Sequence, residues 1–199
     1  MRLYGDPVLR KTAMPITTFD DELVKLGEDL LETMYHYNGV GLAGPQVGLS
    51  KRIFAALHTR KDDNEDEDSP PPTTIQEKRE RWGVVEEYVM VNPKITHKDG
   101  HALDIEGCLS IPGLYFEEVE RADTITVSFQ DTSGKQHELD AQGHFARVIQ
   151  HELDHLNGVL FTDRLPETER LKFMDEHRKE LAQMQRDAKA FLKSLKASV

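Results

Sequence analysis

Residues 151–155 read His-Glu-Leu-Asp-His. On a helix, side chains four apart lie one above the other on the same face. His151 and His155 can therefore close on one metal ion, each at roughly 2.0–2.1 Å. Glu152 projects about a quarter-turn away. That direction is poor for a third ligand and good for hydrogen-bonding a water held at the ion. The five-residue pattern alone also arises by chance, so the chemistry depends on its helical setting and on a third ligand.

Three sources of that ligand can be weighed. A metzincin places another His shortly after a Gly; Gly158 is present, but Phe161 stands where the His is required. A gluzincin draws a Glu from a downstream helix, and Glu176 qualifies by distance alone. It sits in a charged, heptad-like stretch where a solvated Glu is the ordinary expectation. Cys108 is the better candidate. Being the chain's single cysteine, it has no disulfide partner within the chain, which favours a reducing compartment. By itself a lone Cys is most often a small buried apolar residue. Here it lies in Glu106-Gly107-Cys108-Leu109-Ser110-Ile111-Pro112, after a glycine that lets backbone come close and before a proline that stiffens the exit. A thiolate with two imidazoles leaves a fourth position open, as in catalytic sites, and suits Zn²⁺ and Fe²⁺ alike.

These residues need elements to position them. Phe145, Val148, Ile149, Leu153 and Leu156 give a wide apolar face to a helix expected over 143–156, ended by Asn157-Gly158. An earlier helix is expected over 21–37, with Leu23, Leu26, Leu30 and Met34 at spacings of three and four, stopped by Asn38-Gly39. The Gly-rich run 39–48 reads as a loop where backbone approaches something closely. Strands are expected over 52–58, 84–91 and 124–130, with a hairpin turn at Asp131–Gly134. A long helix is expected over 167–196, with Met174, His177, Leu181, Met184, Ala188, Phe191 and Leu195 in a seven-residue pattern. The expected architecture is α+β: a single domain with antiparallel sheets around a central helix bearing the HExxH residues, plus N-terminal and long C-terminal helices. Residues 1–165 form the catalytic part and 166–199 the C-terminal helix. Residues 61–72 (KDDNEDEDSPPP) bury too little apolar surface to offset ordering entropy and read as a solvated, mobile insertion.

Composition narrows the function classes. A net charge of −11 argues against a surface broadly given to nucleic acid, and DNA is not an expected partner. Nothing approaches the ~20 apolar residues of a membrane span, and the N-terminus lacks the features of a secretory or transit sequence. The chain is expected to begin directly with its domain and to work in the cytoplasm.

Three segments together resemble the signature motifs of the peptide deformylase family, in that family's order: Gly39-Val40-Gly41-Leu42-Ala43-Gly44-Pro45-Gln46, Glu106-Gly107-Cys108-Leu109-Ser110 and Gln150-His151-Glu152-Leu153-Asp154-His155. The opening Tyr4-Gly5-Asp6-Pro7-Val8-Leu9-Arg10 and the strand pattern extend the likeness over most of residues 1–165. One departure is Gly44, where the family usually has Ala; losing that methyl is expected to loosen the loop slightly.

The resemblance implies removal of the N-formyl group from formyl-methionine at the start of nascent peptides, with release of formate. It implies Cys108, His151 and His155 as metal ligands and Fe²⁺ as the usual working metal, with Zn²⁺, Ni²⁺ or Co²⁺ often substituting. Glu152 would move the proton, and the Gln46 amide and Leu109 N–H would meet the oxyanion. Val40, Gly41 and Gly107 would hold substrate backbone, with Val40 and Val148 beside the methionine side chain. Glu106, Arg121, Arg147 and Asp154 read as supporting charges without a catalytic role. The rival readings are a zincin-like metallopeptidase, which leaves Cys108 and Gln46 unexplained, and an inactive metal-stabilised binding protein, which has no need of Glu152. Arg186, Lys189, Lys193 and Lys196 give the C-terminal helix a basic end. Its two readings are packing of the apolar stripe on the domain or on a second copy, and docking of the basic end on ribosomal RNA.

Overall fold

A computed structural model describes residues 1–60 and 71–197. The expected acidic insertion, apart from Pro71 and Pro72, lies outside the described residues. The elements are α1 (Asp21–His36), β1 (Gly41–Ala43), β2 (Ile53–Thr59), α2 (Ile75–Arg81), β3 (Val84–Asp99), β4 (Ala102–Cys108), β5 (Ile111–Arg121), β6 (Thr124–Gln130), β7 (Gln136–Gln142), α3 (Gly143–Leu156), α4 (Glu167–Glu176) and α5 (Arg178–Ala197). They form the expected α+β domain. One antiparallel sheet has the order β1-β2-β3-β6-β7, and β4 pairs with β5 in a separate two-stranded sheet.

The five-stranded sheet is covered on both faces at its β1–β2 end. Alternate side chains of a strand point to opposite faces. Accordingly Phe54 and Ala56 pack with Phe145, Ile149 and Leu156 of α3, while Ile53, Ala55 and Leu57 pack with Leu23, Leu30 and Met34 of α1. This explains why β2 reads as a continuous apolar run. The Asp20 side chain caps α1 by accepting from the Leu23 N–H at 3.0 Å. Asn38, at φ 56°, takes the left-handed conformation that ends the helix, as the Asn-Gly signal implied.

The structure corrects several expectations. The glycine-rich run is not wholly loop: Gly41–Ala43 pairs with β2, and Gly44–Val47 forms a 3-10 turn. β3 continues eight residues beyond the expected 84–91, with register shifts that hide its alternation. The C-terminal helix breaks at His177, between α4 and α5. No Gly or Pro marks the break. The bend lets Phe173 on one side and Leu181 and Met184 on the other join Phe161, Leu165 and Ile111 in a third apolar cluster. Leu181, Met184 and Ala188 are buried on the domain, whereas Phe191 and Leu195 stay exposed, so packing accounts for only the first part of the stripe.

Gly44 also behaves differently from expectation. A Cβ there would lie 2.9 Å from the Lys51 carbonyl oxygen and 3.1 Å from that of Leu49. The space of the absent methyl is occupied by close-packed backbone. This loop is tightened by its glycine.

Candidate metal centre

α3 carries His151, Glu152 and His155. Its apolar face is anchored in the core by Phe145, Ile149 and Leu156, which fixes the rotation of the helix and turns its other side toward the β4–β5 hairpin. Cys108 closes β4, and Leu109 and Ser110 make the turn into β5. Ligand atoms of Cys108, His151 and His155 lie within 4.8 Å of one another. Cys108 Sγ is 3.2 Å from His155 Nε2. This is a donor set able to hold one metal ion. Glu176, the alternative third ligand, is exposed at the end of α4, outside that cluster.

Electrostatics favour the thiolate of Cys108, the ligating form, and a proton on His151, which an incoming metal ion displaces. Burial alone would raise the Cys108 thiol, but His155 and His151 outweigh it and hold it well below the usual thiol range. His151 is raised well above an ordinary imidazole: burial opposes the proton, and Cys108 and Glu106 overcome that opposition. Glu152 is only 3 % exposed, and burial pushes its carboxyl up to about 7 against the pull of His151 and His155. Its Oε2 has no hydrogen-bond partner among the described residues.

Gln46 is held in one orientation. Its Oε1 accepts from the Ala43 N–H at 2.8 Å, which directs Nε2 toward Cys108 Sγ, 3.7 Å away. The 3-10 turn at 44–47 and the short β1 therefore serve to aim this amide. Gly41 is required by Glu152: a Cβ there would come within 2.8 Å of the Glu152 carboxyl carbon. At Gly107 a Cβ would enter the Tyr115 ring.

A cleft of about 380 Å³ opens over this cluster. Val40, Gly41, Gln46, Gly107, Cys108, Leu109, Val148, His151 and Glu152 all line it; of the predicted site residues the more deeply buried His155 alone does not, and it joins the others through Cys108 and His151. Ile105, Tyr115 and His144 line it as well and were not expected.

Glu106, Arg121, Arg147 and Asp154, read from the sequence as supporting charges, form a buried network behind the cluster. Arg121 donates to Glu106 through Nε at 2.8 Å and Nη2 at 2.9 Å, and Arg147 donates to the same carboxylate at 2.8 Å. Glu106 also meets His151 Nδ1 at 3.0 Å. Arg121 reaches Asp154 at 2.5 Å, and Arg164 pairs with that carboxylate from outside. The partners of Glu106 are separated from it by 15 to 45 residues. That separation left the pairing itself without a sequence signal, although Glu106 stands two residues before Cys108.

Comparisons with known proteins agree with this geometry. The family model for polypeptide deformylase matches residues 1–171. A peptide deformylase of Thermus thermophilus is 47 % identical over 195 residues, spanning 98 % of this chain and 96 % of that one. One from Thermotoga maritima is 43 % identical, over 88 % of this chain and 94 % of that one. The crystal structure of a Thermus thermophilus peptide deformylase superposes with a TM-score of 0.80 at 45 % identity, covering 94 % of this chain and 97 % of that chain. With its three motifs converging on one cleft, the chain belongs to the polypeptide deformylase family.

Proposed function

We propose that the chain removes the N-formyl group from the formyl-methionine that opens nascent polypeptides, with one divalent metal ion held by Cys108, His151 and His155. Membership of the deformylase family makes it a hydrolase acting in protein biosynthesis. The single observation that carries the finer reading is the convergence of one thiol and two imidazoles beside a buried carboxylate, Glu152, whose Oε2 is unpartnered among the described residues. The donor set suits Fe²⁺, taken here as the working metal, as well as Zn²⁺, Ni²⁺ or Co²⁺. When bound, such an ion supplies Lewis-acid polarisation of the formyl carbonyl and makes water a stronger acid.

Glu152 takes a proton as water adds to the formyl carbon. It returns that proton to the amine nitrogen as the C–N bond breaks, giving formate and a free α-amino group. A carboxyl raised to about 7 is matched to both roles near neutral pH. Gln46 Nε2, aimed by Ala43, and the Leu109 N–H donate to the oxyanion, each of a kind worth ~10²–10³ in rate. Val40, Gly41 and Gly107 take the substrate backbone as an added strand, and Val40 and Val148 flank the methionine side chain. Residues 1–165 carry this chemistry. Residues 166–199 add the C-terminal helices, whose basic end, Arg186, Lys189, Lys193 and Lys196, docks on ribosomal RNA. No described helix is long and apolar enough to cross a membrane, and the reaction is assigned to the cytoplasm.

Incubation with a formyl-methionyl tripeptide tests the reading. Formate and a new α-amino terminus are expected in equal amounts. Internal peptide-bond cleavage without formate would instead indicate the metallopeptidase alternative.

A further inference from the structure

The side of α3 turned away from the metal cleft borders a second hollow, of about 500 Å³. Gln150, Leu153, Asp154 and Asn157 line it from α3 and its C-terminal end, one helical face opposite Val148, His151 and Glu152, so the two cavities do not share residues of that helix. Five cationic side chains surround it, Arg52, Lys94, Lys98, Arg121 and Arg164, against the single carboxylate of Asp154. In a chain of net charge −11 this is a strong local reversal.

The fold neutralises only part of this charge: Arg121 is paired with Glu106 as well as with Asp154. Asp154 is shared by Arg121 and Arg164. Among the described residues Arg52 donates only to neutral acceptors, the Leu156 carbonyl at 3.2 Å and Asn157 Oδ1 at 2.9 Å. Neither Lys94 nor Lys98 forms an ion pair among the described residues. Lys98 is an exposed residue, yet partial desolvation, with Arg164 and Arg121 nearby, lowers it from the ordinary lysine range against the pull of Asp154. The register shifts in β3 between Val91 and Lys94 and between Ile95 and His97 bring Lys94, Ile95 and Lys98 to the same cavity, which strict alternation would not do.

Shape decides which anion fits. The wall includes Ile95, Pro93 and Leu153, an apolar surface suited to a ring or chain beside the charged group. The volume falls in the range of small-molecule sites. Beyond the rim the excess of positive charge shrinks: the adjoining hollow shares Lys98, Arg121 and Arg164 but adds the carboxylates of Asp99 and Glu120, and Glu120 pairs there with His101. A long polyanion would meet those carboxylates, whereas a compact one would not. We propose that this hollow binds a phosphate-bearing small anion of nucleotide size, with Arg52, Lys94, Lys98 and Arg164 as the phosphate ligands, separately from the metal cleft.

Calorimetric titration of the full-length, metal-loaded protein with AMP tests this, with adenosine and inorganic phosphate as parallel probes. One AMP per chain is expected, displaced by inorganic phosphate and weakened by added KCl, with no binding of adenosine. The double variant K94Q/K98Q alters two exposed side chains outside the catalytic cleft. It should weaken AMP binding at least about tenfold while leaving deformylation of a formyl-methionyl peptide unchanged. Absence of AMP binding, equal binding of adenosine, failure of phosphate to compete, or unchanged affinity in K94Q/K98Q would each overturn the proposal.

Discussion

Glu106 Oε2 lies 3.0 Å from His151 Nδ1, which leaves the other ring nitrogen of His151 to face Cys108 and His155. A carboxylate behind a histidine fixes its tautomer and ring angle and raises its basicity as a ligand. Glu106 is itself fixed by Arg121 and Arg147, so the orientation of His151 is determined by a buried charge network that spans β4, β5 and α3. Replacing Glu106 with Gln should therefore raise the metal dissociation constant about 10–100-fold. Chelator competition measures this, and thermal unfolding should show a lower midpoint because Arg121 and Arg147 lose a buried anionic partner. Unchanged metal affinity would assign the network to fold stability alone.

Glu152→Gln leaves all three proposed ligands in place but cannot accept a proton. Metal content should remain at one ion per chain, while turnover falls by at least about 10²–10⁴-fold. Paired metal analysis and formate assay on one preparation check both halves. Near-normal turnover would show that the proton travels another way.

The two histidines were legible because helical geometry converts a spacing of four into proximity. Cys108 was legible because a glycine, a thiol and a stiff exit stood together. The partnership of Glu106 with His151 was not, since 45 residues separate them and only the β4–β5 hairpin folding against α3 brings them together. That hairpin escaped notice for a related reason. Leu103, Ile105 and Tyr115 are exposed on it, and register shifts after Asp104 and Gly107 spoil the two-residue alternation. α2 reads as a charged stretch, and its anchor is the single buried Lys78, donating to the Tyr35 carbonyl at 2.6 Å. The break at His177 leaves no local mark because tertiary packing around Phe161 imposes it.

Gly41→Ala tests the packing of backbone against the proton carrier. The added methyl would meet the Glu152 carboxyl, so Glu152 must move, while Cys108, His151 and His155 are untouched. A displacement of about 1 Å can cost on the order of 10²-fold in rate. The expected result is lost kcat with full metal occupancy. Wild-type kcat in this variant would mean that Glu152 tolerates displacement and that its position is not critical.

The proposed docking of the C-terminal helix is tested by a cut that respects the core. Leu181 and Met184 belong to the third cluster, and a Cβ on Gly5 would lie 2.9 Å from the Gln185 backbone, so removal from Lys179 onward would damage the fold. Truncation after Ala188 removes Lys189, Lys193 and Lys196 and leaves that packing. It should preserve turnover on short formyl-peptides and abolish salt-sensitive co-sedimentation with ribosomes. Unaltered co-sedimentation would remove the helix from the interaction.

The most direct measurement of the central claim is formate release from a formyl-methionyl tripeptide. It should be made anaerobically on protein carrying one Fe²⁺ per chain, beside the same preparation stripped with chelator. The loaded protein is expected to release formate with kcat/KM on the order of 10⁴ M⁻¹s⁻¹ or higher, the stripped protein to release none, and added metal to restore the rate. Absence of formate from the loaded protein, or equal release by the stripped one, would contradict the assignment of a metal-dependent deformylase built on Cys108, His151, His155 and Glu152.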